Sequence, residues 1–86
     1  MEWRLTLSFV STNDTVEIWV DGTPRNGRFN AQLINHTFPG GQTCPQLPGP
    51  ILDGVTFFDA VMNVIQDHFI THHPDKPPPK LKVVKK

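Results

Sequence analysis

His68, His72 and His73 form the one cluster of metal-ligating residue types in the sequence. His68 and His72 are four residues apart, so on a helix they share a face and could present two imidazoles to one zinc ion. His36 or Cys44 could complete such a site. No paired-cysteine motif accompanies them, and no glutamate stands where a zinc-protease helix carries one. The spacing therefore makes His68 and His72 only weak metal candidates, and no metal or cofactor is expected. The simpler account is a histidine-rich helix end, where positive charge suits the exposed carbonyls.

Cys44 is the single cysteine, so no internal disulfide can form. As a nucleophile it would need a base and an oxyanion site around it. His36 is the nearest base in sequence, and nothing in the sequence brings the two together. The acids are scattered, with Asp59 and Asp67 too far apart along a helix to act as a carboxylate pair. Gly40-Gly41 alone does not make a phosphate-cradling loop. These residues do not assemble a reaction, and an enzyme is not expected.

Recognition chemistry is better represented. In residues 15–20, Val16, Ile18 and Val20 alternate with Glu17 and Trp19. Trp19 then faces away from the apolar side, beside Arg4 or Arg28 on neighbouring strands. Tryptophan and arginine dominate the energetics of protein interfaces, and an aromatic on an open sheet face can also stack on a nucleobase. Trp19, Arg4, Arg28, Glu17 and Phe38 are the expected binding residues of the folded body. The competing arrangement has the long central segment fold over Trp19 and bury it in a second small core.

Charge divides the chain. All five lysines (Lys76, Lys80, Lys82, Lys85 and Lys86) lie in the last eleven residues. Residues 1–73 carry three arginines against seven acids, a net of −4, and residues 74–86 carry five lysines against Asp75, a net of +4. Lys80, Lys82, Lys85 and Lys86 could engage phosphates or an acidic protein surface, but lysine contributes charge without reading bases. Pro77-Pro78-Pro79 separates them from the body as a stiff spacer. Residues 74–86 are expected to be a flexible basic tail.

The elements that must position these groups follow from periodicity. Trp3, Leu5, Leu7 and Phe9 alternate with Arg4, Thr6 and Ser8, which predicts a strand with one buried face. Ser11 to Asp14 is turn chemistry, and 15–20 forms the second strand of a hairpin. After the turn signals of Asp21 to Gly27, residues 28–34 alternate again, with Phe29, Ala31 and Leu33 on one side. Residues 35–55 hold four prolines and four glycines and show no periodicity, so they read as a long irregular loop, with a short strand near Ile51-Leu52 as the one element it could hide. Thr56 to Asp59 resembles a capping box, and Phe57, Val61, Val64, Ile65 and Phe69 recur at helical spacing until Pro74. The expected fold is a small α+β domain over residues 1–73: a three-stranded antiparallel meander with one C-terminal amphipathic helix on one face.

A chain of 86 residues buries only about 60% of its unfolded surface and is marginal without help. With no signal peptide and no run approaching a membrane span, a cytoplasmic protein is expected. The leading expectation of function is a protein-binding module, a small inhibitor or adaptor of the kind phages encode, acting on a larger protein target. The alternatives are a nucleic-acid-binding accessory protein using Trp19, Arg4, Arg28 and the lysine tail, and a homo-oligomeric structural subunit, such as a homodimer joined through the first strand or the helix.

Overall fold

A computed structural model describes residues 1–10, 12–23 and 27–76. The strands are β1 (Glu2–Ser8), β2 (Thr15–Thr23), β3 (Arg28–Thr37) and β4 (Ile51–Gly54), followed by one helix, α1 (Phe57–His72). They form a single antiparallel sheet in the order β1-β2-β3-β4. The three-stranded expectation is thus corrected to four. The fourth strand lies where the short hidden element had been anticipated, at Ile51–Gly54. Among the described residues no helix is long and apolar enough to cross a membrane.

The stretch expected to be irregular is tied down by its backbone. β3 continues to Thr37, and a tight turn follows in which the Phe38 amide donates to the Gln42 carbonyl at 2.7 Å. The chain then runs back along β3. The Cys44 amide donates to the His36 carbonyl (2.8 Å), the Gly49 amide to the Leu33 carbonyl (3.0 Å), and β4 completes the return. Proline and glycine erase the side-chain alternation here without preventing backbone pairing.

Alternation decides what is buried. Val16, Ile18 and Val20 of β2 meet Ala31 and Leu33 of β3 on one face, and Leu5 and Leu7 pack against them from β1. Helix α1 covers that face with Ala60, Val61, Val64, Ile65 and Phe69. Its start is set by Thr56, whose hydroxyl accepts the Asp59 amide at 3.0 Å.

One irregularity redirects the end of β3. Ile18 pairs with Leu33 but Glu17 pairs with Asn35, so Ile34 is an extra residue in a β-bulge. The bulge reverses the parity of the strand beyond it. Leu33 and His36, which strict alternation would send to opposite faces, both point toward α1, and His36 sits opposite Val16.

The start of the helix is fixed by close packing. Phe57 meets Trp3 edge-on with ring centroids 5.5 Å apart and Phe29 at 5.9 Å. Beneath it, Gly54 of β4 faces the first turn of α1. A Cβ at Gly54 would lie 2.8 Å from both the Ala60 Cα and the Asp59 carbonyl carbon, so only glycine lets the helix approach this closely. Gly54→Ala is therefore expected to lower stability by about 1–3 kcal/mol, read as a reduced melting temperature. An unchanged melt would mean that α1 does not rest on β4.

Candidate functional site

Two groups of side chains could act, one on each face of the sheet. The first occupies the face opposite α1. Trp19, in the interior strand β2, stands between Arg4 of β1 and Gln32 of β3. It is half-buried, and its indole N–H donates to Glu2 Oε1 at 2.7 Å. Arg4 lies 3.5 Å from Glu17, whose other contact is the amide of Asn35, donating at 2.8 Å. Gln32 donates to the Gly49 carbonyl at 2.9 Å. The long segment therefore meets the edge of this face at Gly49, where it pairs with β3.

Arg28 does not belong to this patch. It pairs with Thr23, further along the strands than the Gln32 opposite Trp19, and forms an ion pair with Asp53 at 2.9 Å. Phe38 does not belong to it either. Its ring lies 4.6 Å from that of His36 and 5.8 Å from that of His73, on the helix side of the sheet. Arg4, Glu17 and Trp19 are the sequence-predicted residues that the fold brings together here. Lys80, Lys82, Lys85 and Lys86 lie outside the described residues.

The second group is enclosed between sheet and helix. His36, Cys44, His68 and His73 place one potential ligand atom each within 4.8 Å of one another. Cys44 Sγ is 3.6 Å from His68 Nε2 and 3.7 Å from His73 Nε2. Each residue arrives by a separate local cause. The bulge turns His36 inward, and the return segment sets Cys44 beside it through the Cys44 amide bond to the His36 carbonyl. His68 lies on the buried stripe of α1. His73 is the C-cap, at φ −134° and ψ 56°. That departure from helical geometry brings its ring back to 5.0 Å from the ring of His68.

Sequence spacing favoured His68 with His72. The fold keeps His68 and replaces His72, which is exposed at the last helical position, with His73. His36 and Cys44, which could only be offered as completing residues, are two of the four members. The signal for them was their chemistry alone, because the bulge and the return segment carry no side-chain periodicity.

Asp14 supports the group from outside. It is buried in the β1–β2 turn, where the Phe9 amide donates to its carbonyl at 2.9 Å and the preceding Asn13 adopts φ 62°. Its carboxylate lies 2.7 Å from His36 Nε2. A carboxylate only accepts, so Nε2 carries the proton and donates. In neutral His36 the other ring nitrogen, Nδ1, then presents a bare lone pair. Nδ1 of His36 and Nδ1 of His68 are both buried without a hydrogen-bond partner among the described residues.

Burial first, and then the neighbouring charges of His36, His73 and His72, lower the His68 pKa from 6.5 to about 4. Burial, followed by His36, Lys76 and His72, also lowers the His73 pKa, with Asp75 opposing. The imidazoles of His68 and His73 are thus kept neutral in the fold, the form in which histidine binds a metal or accepts a proton.

No family model, no curated protein and no solved structure matches the chain.

The low pKa of His68 has a consequence for stability. The unfolded chain takes up this proton near pH 6.5 and the folded chain only near 4. The contribution of neutral His68 is thus complete above 6.5 and is lost as pH falls toward 4. Urea melts in chelator-containing buffer are expected to show this decline, and His68→Leu to reduce it. A profile that is flat until the ordinary carboxylate range would contradict the neutral, buried imidazole.

Proposed function

We propose that the chain is a non-enzymatic protein-binding module, an inhibitor or adaptor that covers part of a larger partner with the sheet face around Trp19. The observation that carries this reading is the row Arg4–Trp19–Gln32. It is an aromatic flanked by polar groups at the middle of a sheet face that α1 leaves open. Its side chains are held before any partner arrives: the indole by Glu2, Arg4 by Glu17, and Glu17 by Asn35. Ordered side chains lose less entropy on association, which favours affinity from a small surface.

The charges on this face describe the partner. Glu2, Glu17, Asp21 and Asp53 outnumber Arg4 and Arg28 among the described residues of these strands. The complementary surface is a protein with an apolar centre to take Trp19 and a cationic rim. The same excess of carboxylates repels a nucleic-acid backbone and weighs against stacking on a base. In the other cluster Cys44 is buried, 7% exposed, beside the imidazoles of His68 and His73.

The tagged protein should retain a protein target from host lysate at high salt after nuclease treatment. Trp19→Ala should weaken that purified pair by about tenfold or more, while costing the fold no more than about 1 kcal/mol. Retention indifferent to Trp19→Ala, or a catch that nuclease removes, would overturn the reading.

A further inference from the structure

We propose that His36, Cys44, His68 and His73 bind a single zinc ion as a closed, structural tetrahedral centre, with His36 ligating through Nδ1 and Asp14 holding His36 from behind. This inference does not depend on the role given to Trp19.

The spacing of the donors supports it. Zinc binds thiolate sulfur at about 2.3 Å and imidazole nitrogen at about 2.0–2.1 Å, so the sulfur-to-nitrogen edge of a tetrahedron is about 3.6 Å. The two sulfur-to-nitrogen distances here are 3.6 and 3.7 Å. Two edges thus match a zinc tetrahedron, and all four donor atoms fall within 4.8 Å of one another.

The state of His36 is an independent observation. The ring is 1% exposed, and its Nε2–H is committed to Asp14 at 2.7 Å. Its Nδ1 is buried without a partner among the described residues. An unsatisfied buried polar atom costs on the order of 1–3 kcal/mol, and an ion at the centre of the cluster removes that cost. A carboxylate that accepts the far N–H of a ligating histidine is also a recurring outer partner of zinc, because it fixes the tautomer and raises the basicity of the ligand. The Nδ1 of His68 keeps no partner among the described residues in this arrangement.

The donor set selects the metal. Three imidazoles and a thiolate suit zinc and exclude calcium and magnesium, which require oxygen ligands. Four protein ligands complete the tetrahedron, so no position remains for a substrate or an activated water, and the centre is structural. Its place in the fold agrees. It would join β3, the return segment and the end of α1, with Asp14 adding the β1–β2 turn. A domain this small, with a single cysteine and no disulfide, is the kind that needs such a staple.

The test uses the full chain. The protein is stripped with chelator and titrated with Co²⁺, and Zn²⁺ is then added as competitor. The expected result is one equivalent of Co²⁺ with the intense visible bands of a tetrahedral site and a near-ultraviolet thiolate-to-cobalt band, both abolished by Zn²⁺, and a higher melting temperature with zinc. Asp14→Asn should weaken zinc binding by about 10- to 100-fold, and His72→Ala should leave it unchanged. Cys44→Ser should remove the thiolate band. Should that variant fail to fold, the wild-type spectrum alone decides. A wild-type spectrum that is octahedral or lacks the thiolate band, or binding lost in His72→Ala, would overturn the assignment.

Discussion

The structure depends on a polar corner in an otherwise apolar interior. His36, Cys44, His68 and His73 meet where β3, the segment that returns along it and the last turn of α1 converge. Polar groups withdrawn from water are costly unless each finds a partner. The apolar side chains of the core, from Val16 to Phe69, offer the side chains of that corner no hydrogen-bond partner. Asp14 satisfies one nitrogen of His36, and the remaining donors converge on a common centre. A shared zinc ion turns this costly arrangement into a bond between three parts of the chain.

The helix is thereby held at both ends by different physics. At its start the constraint is shape: Gly54 lets α1 descend onto β4, and Phe57 locks against Trp3 and Phe29. At its end the constraint is directional, through His68 on the helix and His73 in its cap. Between them runs the apolar stripe from Ala60 to Phe69. With all three fastenings on one side of the sheet, the opposite face is left free to carry Trp19, Arg4 and Glu17 in fixed positions. Division of labour between the two faces follows from the period-two geometry of the strands.

Most of the fold could be read from the sequence because it rests on periodicity. The alternations through Leu5, Ile18 and Ala31 and the helical spacing from Phe57 to Phe69 each name the buried face, and Thr56 marks the start of the helix. The fourth strand was harder to see. Its register comes from backbone bonds in a segment where proline and glycine replace patterned side chains, and a short strand leaves little alternation to detect. The members of the cluster were hardest of all. The bulge at Ile34 reverses the parity of β3, so alternation alone sends His36 to the wrong face. His73 enters only because its backbone leaves the helix, while the spacing rule for helices favours His72. On the other face, alternation put Trp19 on the side that carries Arg4 and Arg28, and only the strand register pairs it with Arg4 and leaves Arg28 further along.

The central claim is that four residues distant in sequence share one ion. X-ray absorption at the zinc edge of the reconstituted full chain tests it most directly. The account predicts one sulfur at about 2.3 Å and three nitrogens at about 2.0–2.1 Å around each zinc, with imidazole outer-shell scattering. A first shell of five or six oxygen or nitrogen atoms without sulfur, or one with two sulfurs from two molecules, would contradict it.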